Sequence, residues 1–293
     1  MASLVVLACE AQEQKEQSAV EANSVAVARK GFVMFRVFCK FFVILFLFTA
    51  CGAATACNHA PWGEDSDVGG VLPRTSFVKI EKIIEVKICD PTDPKDCFTK
   101  AMVSSGSGFV IKNDNDGSYI FTAGHVCDDS DIIARFKDAG AIVTKQEFIV
   151  MDINKNRFKA KTIAFTMCED MCVAYAPGFY RPPVKVAQLS PQQGDGALNL
   201  AAPLGVFDDE MIPILHGHYS GIAYGGKAIY TIPAIGGSSG SGIFNKNGEL
   251  IGMIHSAHIR FPFLSLSPTH REIVDYILEH ANRKALLQKL MNN

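Results

Sequence analysis

Three polar residues of this chain have the types and the order of a nucleophilic catalytic site. His125 lies in TAGHV just after an apolar run, Asp170 heads the apolar run of CEDMCVAYAP, and Ser239 lies among glycines in GGSSGSG. A serine hydroxyl becomes a strong nucleophile when an imidazole accepts its proton, and a carboxylate fixes the tautomer of that imidazole. The sequence therefore predicts His125, Asp170 and Ser239 as a catalytic triad.

The glycines next to Ser239 suit a second part of such a site. An oxyanion hole needs backbone N–H groups that point at one place, with no side chains in the way. Gly237 and Ser239 can each supply such a donor. We therefore predict that their N–H groups form the oxyanion hole.

The residues alone leave other interpretations open. Asp152 is a second candidate for the carboxylate, although it adjoins a turn at 154–156. Ser238 fits the G-x-S-x-G pattern of α/β-hydrolases, but a hairpin follows it and no βαβ alternation precedes it. A phosphate-binding loop is disfavoured because no Lys-Ser/Thr pair follows the glycines. Each candidate residue taken singly is also compatible with a purely structural role.

Short β-rich segments must position these residues. FVKIEKIIEVKI alternates apolar and charged residues in several places, as strands with one buried face do. Turn residues at 113–117, at 154–156 and at Asn247-Gly248 separate further apolar runs and predict hairpins. Close turns without intervening helices favour an all-β fold of antiparallel strands.

Only the C-terminus predicts a helix. Thr269 and Glu272 have the spacing of a capping box, and Ile273, Ile277 and Ala281 fall on one stripe. We expect this helix to pack against the β-structure, an exposed partner-binding helix being the alternative.

The N-terminal part indicates export. Residues 34–51, MFRVFCKFFVILFLFTAC, run from basic to apolar to small residues, the order of a signal peptide. FTAC resembles a bacterial lipobox, which predicts lipidation of Cys51; a signal anchor or a core segment is the alternative. We expect a leader over 1–51, a tether over 52–75, and a protein that is secreted or anchored to the membrane through its leader or lipid.

Charge and cysteine usage exclude other classes. The net charge of −2, with scattered Lys and Arg, gives no basic surface for nucleic acid. Thiols without paired CxxC motifs or a His cluster predict neither a metal site nor a cofactor. In an exported chain they predict disulfides instead, with Cys89 and Cys97 as a loop staple. Pairing among the remaining candidates stays open: Cys127, Cys168 and Cys172.

Several motifs in one order resemble a known family. GSGFVI, TAGHV, EDMCV and GSSGSGIF…GELIGMI are similar to the trypsin-like (chymotrypsin-fold) serine proteases, especially short bacterial and phage-type members. The resemblance implies two antiparallel six-stranded β-barrels, at 76–185 and 186–262, with the site between them and a C-terminal helix at 263–293. It also implies a serine endopeptidase that cleaves protein or peptide substrates through an acyl-enzyme intermediate. The alternative is a catalytically inactive lipoprotein of this fold that serves as a binding module.

The chain departs from the family pattern in places. Ser238 stands where many members carry Asp, so activation by cleavage of a pro-segment is not expected, and Gly242 replaces a common Pro. Pro233 lies near the position at which trypsin has an Asp in its substrate pocket. The negative charge that would bind a Lys or Arg side chain of the substrate is therefore missing. His255 is similar to a pocket His of glutamyl endopeptidases, with a hydrogen-bonded structural His as the alternative.

Overall fold

The described strands of the protein form two sheets. The computed structural model describes residues 71–281 apart from 91, 92, 94, 224 and 259. The predicted leader, including Cys51, and most of the predicted tether therefore lie outside the described residues.

The first sheet has seven strands in the order β5-β4-β1-β2-β3-β7-β6, and every neighbouring pair is antiparallel. The strand order follows from consecutive hairpins together with the pairing of β1 with β4 and of β3 with β7. The strands are β1 (Phe77–Cys89), β2 (Cys97–Asn113), β3 (Gly117–Thr122), β4 (Ile142–Met151), β5 (Arg157–Lys159), β6 (Lys161–Thr166) and β7 (Met171–Pro177).

The second sheet has eight strands in the order β14-β15-β11-β10-β9-β12-β13-β8. Its pairs are antiparallel except for the short β8, which runs parallel to β13. The strands are β8 (Lys185–Val186), β9 (Gly196–Leu200), β10 (Ile214–Ile222), β11 (Ala228–Tyr230), β12 (Gly242–Phe244), β13 (Glu249–Met253), β14 (Ser256–His258) and β15 (Phe261–Ser267).

Two details of the expected barrels differ from this arrangement. Each sheet has more than six strands, because short edge strands such as β5 and β8 extend the ladders. Strand β15 also crosses the boundary expected at 262, since Phe261–Ser267 pairs with both β11 and β14. The C-terminal helix accordingly begins only at His270.

The predicted hairpin turns are confirmed. The Asp114 N–H donates to the Gly117 carbonyl at 2.9 Å where β2 turns into β3. The Asn245 N–H donates to the Glu249 carbonyl at 2.9 Å between β12 and β13, and Gly248 in that turn has a φ of 73°. A positive φ of this kind favours glycine, so Asn-Gly is a reliable signal here.

Within the described residues, three α-helices accompany the sheets: α1 (Gly124–Cys127), α2 (Ser130–Asp138) and α3 (His270–His280). The expectation that only the C-terminus is helical was therefore wrong. Helix α1 is a single turn, too short for a periodic signal. Helix α2 packs only two of its apolar residues, Ile132 and Phe136, against a small apolar cluster of the first sheet. No helix in the described part of the chain is long and apolar enough to cross a bilayer.

One apolar core joins both sheets and helix α3. Phe109 of β2 and Phe244 of β12 meet edge to face, with ring centroids 6.2 Å apart. Ile273 and Ile277 of α3 belong to the same buried cluster, as the predicted stripe requires. The core therefore fixes the ends of β3, β7 and β12, which precede or follow the three candidate catalytic residues.

Helix α3 begins with the predicted capping box. The Glu272 N–H donates to Thr269 Oγ1 at 3.2 Å, and the Thr269 N–H donates to Glu272 Oε2 at 2.7 Å. These bonds satisfy two donors that the first turn of a helix otherwise leaves without partners.

We expect Thr269→Ala to lower the free energy of unfolding by about 1 kcal/mol, because the helix loses its N-terminal cap. Urea denaturation of the full chain measures this change. Thr269→Ser keeps the hydroxyl and is the control. Equal stability of Thr269→Ala and wild type would contradict the capping role.

Candidate active site

His125 lies on a rigid support. It is the second residue of the single-turn helix α1, which directly follows the fully buried strand β3. Its side chain is 42% exposed, so the ring lies at the surface of the protein although its backbone is fixed by the core. A reacting molecule can therefore reach this imidazole.

Asp170 holds His125 by three contacts. The His125 backbone N–H donates to Asp170 Oδ1 at 2.8 Å, while ring atom Nδ1 lies 2.8 Å from Oδ2 and 3.0 Å from Oδ1. An ionised carboxylate only accepts hydrogen bonds, so Nδ1 carries the proton. Nε2 of the neutral ring then keeps its lone pair and can accept a proton from a nucleophile.

Gly124 makes this approach possible. A Cβ atom at Gly124 would lie 2.4 Å from the Thr166 carbonyl oxygen and 3.1 Å from Asp170 Oδ1. Asp170 itself has a φ of 56°, an uncommon conformation for a residue with a side chain. The motif TAGHV thus contains glycine because a larger residue would separate His125 from its carboxylate.

Asp170 stays ionised despite its burial. Burial alone would raise the pKa of this carboxyl, but the hydrogen bonds of His125, and the positive charge that His125 and His255 carry when they are protonated, outweigh it and lower the pKa. Asp170 is therefore a carboxylate at neutral pH, able to orient His125 and to stabilise its cationic form.

His255 lies beside the same carboxylate. Its Nδ1 is 3.5 Å from Asp170 Oδ2, and its side chain is 11% exposed. Burial lowers the pKa of His255 to about 4, and Lys227 and His125 act in the same direction while Asp170 opposes them. His255 is thus a neutral ring behind the His125–Asp170 pair, a contact that the sequence reasoning missed; its predicted role in a substrate pocket stays a prediction.

The loop of Ser239 packs against the segment that carries His125. A Cβ atom at Gly240 would lie 2.0 Å from Thr122 Oγ1 and 2.9 Å from the Ala123 nitrogen. A Cβ atom at Gly106 would lie 2.9 Å from Val126 Cγ1 and 3.4 Å from the Ser239 carbonyl oxygen. These close approaches place the backbone of Ser239 next to helix α1.

From Gly237 to Gly240, free and bonded backbone N–H groups alternate. The Ser238 N–H donates to the Ile235 carbonyl at 2.9 Å, and the Gly240 N–H donates to the Ile254 carbonyl at 2.7 Å. The N–H groups of Gly237 and Ser239 donate to no acceptor within the described residues. Within the described residues the two predicted oxyanion-hole donors are thus free, as is the N–H of the exposed Gly236 that precedes them.

The orientation of the Gly237 N–H is fixed from the other side of its peptide. The Gly236 carbonyl accepts a hydrogen bond of 2.7 Å from the Leu204 N–H. Because a trans peptide points its N–H opposite to its C=O, the Gly237 N–H is directed away from Leu204. Gly237 has a φ of 92°, as the third residue of a type II turn requires.

Two further features hold helix α1. Lys82 of β1 is buried, and its Nζ donates to the carbonyls of Val126 and Cys127 at 3.2 and 3.0 Å and pairs with Asp129 at 2.7 Å. Cys127 is disulfide-bonded to Cys172, two residues after Asp170. Lys82 was missed because in the sequence it is one of several charges in an alternating strand.

The remaining sequence candidates have other surroundings. Asp152 is fully buried and accepts hydrogen bonds from the N–H groups of Asn154 and Asn156, besides pairing with Arg181. The carboxylate of Asp152 therefore stabilises the turn that follows it. Pro233 is half-buried in the segment before the candidate nucleophile loop, residues 236–242, and its predicted role in a substrate pocket stays a prediction. The predicted disulfide between Cys89 and Cys97 is confirmed.

We expect the buried His255 to make the protein less stable as the pH falls from 6.5 to about 4. In that window the unfolded chain takes up a proton that the folded protein does not, and the contribution present above pH 6.5 is lost. The gap between the two pKa values corresponds to about 3 kcal/mol.

Thermal unfolding between pH 4 and 7 checks this dependence. His255→Gln has no titrating group and should flatten part of the profile. His270, whose pKa burial also lowers, is unchanged in both proteins and leaves a residual slope. Parallel profiles of wild type and His255→Gln would refute the role of His255.

Comparisons with known proteins bear on the fold and the family of the chain. No curated protein matches the sequence significantly. Among solved structures, the fold is similar to a serine endoprotease from Yersinia pestis, with 16% identity, 75% of this chain and 67% of that chain covered, and a TM-score of 0.52. It is also similar to the Rv3671c protease from M. tuberculosis in its active form, with 18% identity, coverage of 81% and 94%, and a TM-score of 0.53.

These likenesses show the fold, so the predicted all-β trypsin-like double barrel with a C-terminal helix is confirmed. The family model described as trypsin-like peptidase domain matches residues 106–253, just over half of the chain and including His125, Asp170 and Ser239. The chain therefore belongs to the trypsin-like peptidase domain family.

Proposed function

We propose that the protein is a serine endopeptidase that hydrolyses peptide bonds through an acyl-enzyme intermediate. Ser239 is the nucleophile, His125 is the general base and then the general acid, and Asp170 orients His125. The N–H groups of Gly237 and Ser239 stabilise the oxyanion. The substrates in this proposal are proteins or peptides.

The reaction begins with proton transfer from Ser239 Oγ to His125 Nε2 as Oγ attacks the peptide carbonyl. The His125–Asp170 contact supports this step, because Nδ1–H is held by the carboxylate and Nε2 is left as the acceptor. The imidazolium then gives its proton to the leaving amine, and the C–N bond breaks. Water repeats the sequence on the ester, which releases the acid and restores Ser239.

The charge that develops on the substrate oxygen needs donors that are already in place. The alternation of bonded and free N–H groups around Ser239 is the observation that carries this proposal. Two free donors separated by one bonded donor are unusual at residues 237–240, which are buried or half-buried, since unpaired N–H groups cost free energy unless a ligand uses them. One such donor contributes on the order of 3 kcal/mol to transition-state stabilisation.

We also propose that the protein acts outside the cytoplasm. The disulfides Cys89–Cys97 and Cys127–Cys172 support this, because such bonds persist in oxidising compartments. The predicted leader and the predicted lipidation of Cys51 fit the same location.

We expect the full chain to react with a fluorophosphonate probe at Ser239 and to gain one adduct by intact mass. Ser239→Ala removes the nucleophile and should not react. His125→Ala and Asp170→Asn should react at least about 10⁴-fold more slowly, since the base is lost or held in the wrong tautomer.

Ser238→Ala is the matched control, because it removes the neighbouring hydroxyl and should keep the reaction. Loss of labelling in Ser238→Ala alone would show that the wrong serine has been assigned. A folded wild-type protein that does not react would favour the inactive binding module instead.

A further inference from the structure

Ser107 of strand β2 uses every polar group it has to hold the nucleophile loop and its surroundings. It is fully buried. Its Oγ donates to the Gly237 carbonyl at 2.8 Å and accepts from the Ala202 N–H at 3.0 Å. Its N–H donates to the Ser239 carbonyl at 2.8 Å, and its own carbonyl accepts from Thr122 Oγ1 at 2.7 Å.

These bonds fix the Gly237–Ser238 peptide and the Ser239–Gly240 peptide. The Gly237 carbonyl belongs to the peptide that lies between the two free N–H groups, and Ser107 Oγ is its hydrogen-bond donor. The Ser239 carbonyl is fixed by the Ser107 N–H. Ser107 thus holds the peptide that links the donors of Gly237 and Ser239, together with the peptide that follows the second donor.

The loop needs such an anchor because glycine gives it little rigidity of its own. Gly236 and Gly237 are consecutive, and glycine reaches both signs of φ at low cost. If the peptides around Gly237 rotated, the N–H would leave the hole and a carbonyl could take its place. A carbonyl at that point would repel the developing oxyanion.

The neighbouring loop completes the anchor. Leu204, which has an uncommon φ of 53°, directs its N–H at the Gly236 carbonyl, and a Cβ atom at Gly237 would lie only 2.4 Å from the Ala202 carbonyl oxygen. Ser107 is bonded to both this loop and the nucleophile loop through one hydroxyl. It therefore couples the end of β9 to the backbone around Ser239.

We propose that Ser107 is a positioning residue of the oxyanion hole: its hydroxyl holds the Gly237–Ser238 peptide so that the N–H groups of Gly237 and Ser239 face the substrate oxygen. This inference rests on the proposed function, since the hole has a role here only if Ser239 carries out acyl transfer. Ser107 acts through the loop and does not contact the substrate.

The test compares Ser107→Ala with Ser118→Ala in the full chain. Ser118 is the matched control, because it is also fully buried and its Oγ is bonded to Asn113 Oδ1 and the Phe179 carbonyl, away from the nucleophile loop. The readouts are the acylation rate with p-nitrophenyl acetate, the inhibition constant of phenylboronic acid, whose adduct with serine carries an oxyanion, and the melting temperature.

We expect both variants to lose melting temperature, but only Ser107→Ala to lose chemistry. Its acylation rate should fall roughly 10- to 100-fold and phenylboronic acid should bind more weakly by a similar factor, with KM changed less than about threefold. Ser118→Ala should stay within about twofold of wild type. If Ser107→Ala does not fold, Ser107→Cys replaces it in the test. Cysteine keeps a side chain at this position but its S–H is a weak hydrogen-bond donor, so the loss of acylation rate should be intermediate.

The outcomes separate the two proposals. A wild type that acylates, with Ser107 variants that react as Ser118→Ala does, would overturn the role of Ser107 and leave the proposed function standing. A folded wild type that neither acylates nor reacts with fluorophosphonate would overturn both.

Discussion

The site depends on the burial of one carboxylate, Asp170. A carboxylate can leave water only when hydrogen-bond donors replace the water, and His125 supplies two of them, its backbone N–H and its Nδ1–H. This requirement extends outward, because His125 reaches Asp170 only if residue 124 lacks a side chain. The same contacts that make the burial tolerable also fix the imidazole in the orientation that the proposed proton transfer requires.

A second constraint comes from the loop that has almost no side chains. Gly236, Gly237 and Gly240 cannot hold their own conformation through packing, so other segments hold their peptides by hydrogen bonds. The donors and acceptors come from β2, from the end of β9 and from Ile254, which belong to different parts of the fold. The two sheets therefore have to meet correctly before the loop has a defined shape, and the Phe109–Phe244 contact is part of that meeting.

The sequence was informative wherever a local rule determines the structure. Asn247-Gly248 and Thr269 with Glu272 mark a turn and a helix start by their own chemistry. The TAGHV and GGSSGSG motifs are local too, since each contains glycine at positions where a side chain would clash with neighbouring atoms. The sequence favoured Asp170 over Asp152 because Asp152 adjoins a turn, and in the structure it is the carboxylate of Asp170 that faces His125.

The residues that sequence reasoning missed act across long separations. Lys82 reaches the carbonyls of helix α1 from more than forty residues away, and Ser107 bonds Gly237 from 130 residues away. No periodicity or spacing encodes such partners. A buried lysine in β1 looks like any other charge of an alternating strand, and a serine in GSGFVI looks like a small residue near a bulge.

The disulfide Cys127–Cys172 shows how the chain lowers the cost of joining distant segments at the site. It links positions two residues after His125 and two residues after Asp170, so it closes the same 45-residue separation that the His–Asp contact must close. In the chain-entropy description such a closure removes about 4 kcal/mol of loop entropy from the unfolded state. The covalent bond therefore offsets much of the entropy that would oppose bringing His125 to Asp170, and it leaves their hydrogen bonds to set the orientation of the imidazole rather than to hold the two segments together.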